Sequence, residues 1–128
     1  MYNKIILIGR LTADPELSHT PNGKSYARFT IAVNRRYKVE GGEKEADFIH
    51  VVFWGKLAEI LTSYATKGTL LSLDGELRTR QYEKDGDKRH VTEVLGNSFQ
   101  FLESKHVRDM REKIPHAEEV LGTGTLPF

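Results

Sequence analysis

Apolar residues in this chain recur at every second position along most of its length, and only one segment shifts to the 3.6-residue period of a helix. The clearest alternation starts at Tyr26. Ala27, Phe29, Ile31 and Val33 point one way; Arg28, Thr30, Asn34 and Arg36 point the other. Such a strand has one dry and one wet face. Residues 47–54 alternate in the same manner, with Ile49, Val51 and Phe53 opposite Phe48, His50, Val52 and Trp54. Residues 69–82 place Leu71, Leu73 and Leu77 inward and Arg78, Arg80 and Tyr82 on the other face. The run Ile5-Ile6-Leu7-Ile8 is expected to be a buried strand spanning residues 3–11, and residues 91–102 the last strand.

The helical segment covers residues 56–65. Leu57, Ile60, Leu61 and Tyr64 fall on one stripe, and Gly68 follows as a stop. Asp14-Pro15 and Pro21-Asn22-Gly23 are turn signals, Gly41-Gly42 marks a mobile loop, and Asp85-Gly86 is a hairpin signal within a charged loop. The order is three strands, a helix and two strands. One short helix cannot cover both faces of a parallel sheet. The expected fold is therefore all-β, a five-stranded Greek-key barrel with a helix between strands three and four, which is the OB-fold. It occupies residues 1–103, with a short, flexible tail over residues 104–128.

Composition narrows the function. The chain has no cysteine, which removes disulfides, thiolate zinc sites and cysteine nucleophiles together and fits a reducing interior. No apolar run is long enough to span a bilayer, and the N-terminus lacks the layout of a secretory signal, so no membrane partner is expected. His19, His50, His90, His106 and His116 are scattered and form no close ligand pair. Asp85-Gly86-Asp87 is followed by Lys88-Arg89-His90, which opposes a calcium loop. Gly122-Thr123-Gly124 neither follows a strand nor opens a helix, so it is no phosphate cradle. No serine has a catalytic setting. Neither metal nor cofactor is expected, and no enzymatic activity.

Binding is the better reading. Phe48 and Trp54 lie six residues apart on the side of one strand away from its aliphatic face, a span of roughly 20 Å. Tyr82 shares a face with Arg78 and Arg80, and Tyr37 stands next to Arg35, Arg36 and Lys38. Single-strand binders need this mixture, because every base has a flat face that stacks on an aromatic ring and every phosphate takes Lys or Arg. The candidate stacking residues are Tyr37, Phe48, Trp54 and Tyr82. The candidate phosphate partners are Arg35, Arg36, Lys38, Lys56, Arg78, Arg80, Lys84, Lys88 and Arg89. From the residues alone, Phe48 and Trp54 are as readily core or interface, and Lys84, Lys88 and Arg89 more readily solvated loop charges. The net charge is only +1, so any anion-binding surface is a local stripe.

The ordered set Asn3-Lys4-Ile5-Ile6-Leu7-Ile8-Gly9-Arg10-Leu11, Asp14-Pro15-Glu16, Pro21-Asn22-Gly23, Trp54-Gly55-Lys56-Leu57-Ala58-Glu59, Lys67-Gly68, Asp74-Gly75-Glu76-Leu77-Arg78-Thr79-Arg80 and Thr92-Glu93-Val94 resembles bacterial single-stranded DNA-binding proteins. The resemblance covers residues 1–103. It implies sequence-independent binding and protection of single-stranded DNA in replication, recombination, repair or DNA uptake, by an OB-fold protomer that assembles as a homotetramer. It also implies a cytoplasmic, nucleoid-associated protein. The family's stacking positions map onto Tyr37, Phe48, Trp54 and Tyr82. Leu126-Pro127-Phe128 resembles the family tip that docks on replication, recombination and repair proteins. The usual acidic run before that tip is replaced by Gly122-Thr123-Gly124-Thr125, with only Glu118 and Glu119 nearby, so weaker steering of partners is expected. A short accessory paralogue used in DNA uptake fits this departure. The alternative is an OB-fold interaction module, such as a primosome accessory subunit, with little DNA affinity.

Overall fold

The computed structural model describes residues 1–36 and 45–103. The strands are β1 (Ile5–Leu11), β2 (Glu16–His19), β3 (Ser25–Asn34), β4 (Ala46–Trp54), β5 (Leu70–Lys84) and β6 (Asp87–Phe101), with helix α1 (Lys56–Tyr64) between β4 and β5. The strand order is β1-β5-β6-β4-β3-β2, and β1 also pairs with β3. The sheet thus closes into a barrel of β1, β3, β4, β5 and β6, the expected OB-fold. Closure pairs each barrel strand on both sides over part of its length, while β2 stays an edge strand beside β3. Two seams are thin. β1 meets β3 at Arg10↔Ala32 and Leu11↔Ile31, and β4 meets β6 in parallel at Val51↔Val94 and Val52↔Leu95.

The inward-facing residues follow the alternation. Ala27, Phe29 and Ile31 of β3, Val51 and Phe53 of β4, Leu71 and Leu73 of β5, Val94 of β6 and Leu11 of β1 form one core. Phe53 is its centre. Its ring lies parallel to Phe29 at 6.0 Å and edge-on to Phe99 at 5.3 Å. Gly96 of β6 backs onto this ring so closely that any Cβ there would overlap it.

Several expectations need correction. Residues 16–19, unassigned from the sequence, form β2, which turns through Pro21-Asn22-Gly23 and pairs with β3 from Glu16↔Arg28 to His19↔Ser25. The run Ile5–Ile8 is not buried on both faces: Ile6 is 68% exposed and Ile8 41%. Of this run only Ile5 and Leu7 pack against the core, because nothing among the described residues covers the outer side of β1. Leu77 is also exposed. It sits at the rim, where β5 and β6 leave the barrel as a two-stranded ribbon whose residues are exposed from Arg78 to His90. The charged loop expected there is this ribbon, and only Asp85-Gly86 turns. Both residues have positive φ, 54° and 82°, the two-residue hairpin turn that matches strand twist.

Helix α1 buries Ala58 and Leu61, while Ile60 and Tyr64 of the expected stripe are exposed. Leu57 of the stripe packs against the core, so the buried face is made by Leu57, Ala58 and Leu61 and leaves Ile60 and Tyr64 to one side. Gly68 is not the helix stop. Ala65 closes the helix by donating to the Leu61 carbonyl (2.9 Å), and Gly68 donates to the Leu11 carbonyl (2.8 Å), tying the following turn to β1. The expected loop at Gly41-Gly42 and the tail over residues 104–128 lie outside the described residues. Among the described residues no helix is long and apolar enough to cross a membrane.

Gly96→Ala tests the packing. It should destabilise the barrel by about 1–3 kcal/mol through overpacking against Phe53, whereas Gln100→Ala on the exposed side of the same strand should stay within about 0.5 kcal/mol. Denaturant unfolding measures both, and equal midpoints would contradict the packing described.

Candidate nucleic-acid interface

The outward-facing residues of β3, β4, β6 and β5 share one surface, because the pairing registers bring the same parity together. Tyr26 lies opposite Trp54, Arg28 opposite Val52, Thr30 opposite His50 and Ala32 opposite Phe48. Across the ribbon, Arg78 lies opposite Glu93, Arg80 opposite Val91 and Tyr82 opposite Arg89. Val52 is the one residue of the Phe48, His50, Val52 and Trp54 set that is buried, since β3 and β6 flank it on both sides.

The aromatics on this face are not core. Phe48 is 66% exposed, Tyr82 42% and Trp54 39%. Trp54 is paired with Tyr26, ring centroids 5.1 Å apart. The Arg28 guanidinium lies over the Tyr26 ring, 5.3 Å from its centroid, and Arg80 lies 5.7 Å from the centroid of the Tyr82 ring. Glu93 joins the two arginines: Arg28 Nε is 3.6 Å from Oε2 and Arg80 Nε is 3.3 Å from Oε1. A continuous track therefore runs Trp54, Tyr26, Arg28, Glu93, Arg80, Tyr82. A cleft of about 310 Å³ opens on its middle, lined by Arg28, Thr30, His50, Arg80, Val91 and Glu93 among others. Thr30 Oγ1 and His50 Nδ1 share a hydrogen bond of 3.1 Å on its wall.

Of the expected stacking residues, the structure brings Trp54, Phe48 and Tyr82 to this surface. Tyr37 lies outside the described residues, as does Lys38. Of the expected phosphate partners, Arg80 is on the track. Arg78 is turned to Glu76 at 2.8 Å. Arg35 is bound to Asp47 and Glu45, each at 2.9 Å. Arg36 is exposed, and Lys56 is exposed at the start of α1 beside Trp54. Lys84, Lys88 and Arg89 are exposed on the ribbon, with Arg89 directly across from Tyr82. Leu126, Pro127 and Phe128 lie outside the described residues. Tyr26, Arg28 and Glu93 were missed as site residues. The signal was present for two of them, since Tyr26 and Arg28 have the parity of the wet face of β3.

The Asp47 carboxyl is held below the usual range by the hydrogen bond from Arg35, with the Arg35 charge adding to it and desolvation opposing. A depressed folded value means that the pair stabilises the fold above the ordinary Asp value of about 3.9 and loses that contribution as pH falls through the folded value. At neutral pH the Asp47 carboxyl is ionised and can pair with Arg35. Among the described residues no cluster of three His, Asp or Glu is arranged to hold a metal ion.

An exposed ladder of aromatic rings and guanidinium groups on a closed barrel defines a class of protein that holds extended, anionic, base-bearing chains. The family comparison agrees with that class. Residues 2–102 match the model of the single-strand binding protein family, and the chain belongs to that family. It is 65% identical over 112 residues to single-stranded DNA-binding protein 2 of Streptococcus agalactiae serotype V, covering 88% of this chain and 86% of the relative. It is 60% identical over 131 residues to single-stranded DNA-binding protein 1 of Streptococcus pyogenes serotype M6, covering 100% of both. A Bacillus cereus single-stranded DNA-binding protein is 53% identical over 107 residues, 83% of this chain and 63% of the relative.

The Tyr26–Trp54 pair can be tested without a ligand. Tyr26→Ala should raise quenching of Trp54 fluorescence by acrylamide, because the ring that shields one side of the indole is removed. Unchanged quenching would contradict the pairing.

Proposed function

We propose that this chain binds single-stranded DNA independently of sequence, through base stacking on Phe48, Trp54, Tyr82 and Tyr37 and through phosphate contacts to basic side chains. The observation that carries this reading is the continuous track from Trp54 to Tyr82, flanked by Phe48. Stacking is indifferent to base identity, and each stacked base contributes roughly 1–3 kcal/mol. Arg80, together with Arg36, Lys56, Lys84, Lys88 and Arg89, supplies the phosphate side, and Lys38 joins this set. Arg35 and Arg78 rank lower, because carboxylates engage the outer nitrogens of their guanidinium groups, whereas Glu93 meets Arg80 through its inner Nε. The names of the relatives support the same ligand.

Residues 1–103 form the binding unit in this reading and residues 104–128 a tail. The activity is binding, with protection of the strand during replication, recombination, repair or uptake as its cellular use, in the cytoplasm at the nucleoid. Recruitment of other proteins through Leu126-Pro127-Phe128 is carried by the family resemblance. Assembly as a homotetramer is supported by the outer side of β1, where Ile6 and Ile8 are exposed in the single chain.

Trp54 is the only tryptophan and reports on the ligand directly. Titration with an oligo-dT strand should quench its emission to saturation, and raising salt from about 50 to 200 mM should weaken binding. No change in emission or in the anisotropy of a labelled strand at low salt would overturn the proposal and favour an interaction module. Phe48→Ala should cost roughly 1–3 kcal/mol of affinity, and Lys88→Ala less. Sedimentation should return four copies for the unaltered chain and a smaller species for Ile8→Asp; a monomer in both cases would contradict the assembly.

A further inference from the structure

A buried carboxylate at the centre of a surface that holds a polyanion is unexpected on charge grounds. Glu93 is 8% exposed, on the outer side of β6 and at the floor of the cleft. A negative charge there repels phosphate, and burying it is costly unless it is paired. Its geometry explains its presence. The two oxygens are divided between two arginines from different parts of the barrel: Oε2 to Arg28 of β3 and Oε1 to Arg80 of β5. These two strands are not neighbours in the sheet, and the strands between them, β4 and β6, pair directly at only two positions.

Nε, the inner nitrogen, is the nearest approach of each guanidinium: Arg80 Nε donates a hydrogen bond to Oε1 at 3.3 Å, and Arg28 Nε forms a longer ion pair with Oε2 at 3.6 Å. The outer end of the fork, where the remaining four of its five N–H donors sit, lies beyond the carboxylate. Each arginine is also seated over a tyrosine ring, Arg28 on Tyr26 and Arg80 on Tyr82. A guanidinium approached on one edge by a carboxylate and on one face by a ring has less freedom to give up on meeting a ligand than one in open solvent. The arginine side chains are 46% and 45% exposed, so they reach solvent while their inner nitrogens are held.

We propose that Glu93 is a positioning residue for DNA binding: it presets Arg28 and Arg80 as a pair across the cleft, so that a phosphodiester of the bound strand is taken by their outer nitrogens while the flanking bases stack beside Tyr26 and Tyr82. Arg28 thereby joins the phosphate contacts. The inference rests on the single-strand reading above and adds a role for an acid within it.

The test separates positioning from charge because the two predict opposite signs. Glu93→Gln removes a negative charge from the binding face. If Glu93 acted only as a charge, affinity for oligo-dT would rise. If it positions the arginines, affinity falls, by about three- to tenfold, and the dependence of log K on log salt becomes shallower by roughly 0.7 for each phosphate that is no longer held. Glu93→Asp keeps the charge but is one methylene too short to reach both arginines, and it should also weaken binding. Unaltered protein is titrated alongside. Its failure to bind would remove the single-strand reading itself, whereas normal binding by the unaltered chain with tighter or unchanged binding by Glu93→Gln would overturn this proposal alone. A lowered unfolding temperature with unchanged affinity would make Glu93 a staple of the barrel only and would overturn it too. Should Glu93→Gln not fold, Glu93→Asp carries the test because it keeps the charge and shortens the reach. Weaker binding supports positioning, and unaltered affinity contradicts it.

Discussion

The molecule depends on a sheet that closes on itself. β1 pairs with β5 over six residues and with β3 over two, and the circuit is completed by the short parallel contact of β4 with β6. Closure gives every barrel strand an inside and an outside. The inside is filled by Phe53 and the aliphatic residues around it. The outside is then a surface on which side chains from sequence-distant strands meet at fixed spacing. Arg28, Glu93 and Arg80 are brought together by nothing local to any of them; the meeting follows from strand order.

The electrostatics of that surface are restrained. The chain is nearly neutral, at +1, and several of its arginines are already engaged with carboxylates: Arg28 and Arg80 with Glu93, Arg35 with Asp47 and Glu45, Arg78 with Glu76. Such a face does not act as a broad positive field. In the proposed function it offers rings first and guanidinium groups second. Stacking holds bases without regard to sequence, and the placed cations add the salt-sensitive part of the affinity. The Asp74 carboxyl of β5 is likewise held low, chiefly by the hydrogen bond from Ser98, with Lys4 adding to it. Paired acids are thus a general feature of the barrel's surface and not peculiar to the site.

The sequence was legible where a property is carried by one strand. The alternation of β3 and β4 divided core from surface except at Val52, Asp85-Gly86 marked its turn, and parity set Phe48 and Trp54 opposite the aliphatic face, where the residues alone left core or interface equally open until their exposure decided it. It was opaque where a property is shared between strands. Ile6 and Ile8 read as buried because an apolar run does not reveal that one side of its strand has no cover among the described residues. Leu77 keeps the inward parity of Leu71 and Leu73 but lies where the ribbon leaves the core. The face buried by α1 includes the small Ala58 and omits Tyr64, and the helical period of the large apolar residues does not encode that choice. Glu93 had no signal at all, since an acid within Thr92-Glu93-Val94 becomes meaningful only when Arg28 and Arg80 converge on it.

In the proposed function the face formed by β3, β4, β6 and β5 holds the strand, and location on this face, rather than exposure, selects the aromatics that stack. Ultraviolet cross-linking of an oligo-dT strand to the protein, followed by mass-spectrometric mapping, tests this most directly. Tyr2 and Tyr64 serve as internal controls, being at least as exposed as Trp54 but off the track. Cross-links on Trp54, Phe48, Tyr26 and Tyr82, with Tyr2 and Tyr64 left unmodified, are the predicted result. Cross-links concentrated on Tyr2 or Tyr64, or spread in proportion to exposure, would contradict it.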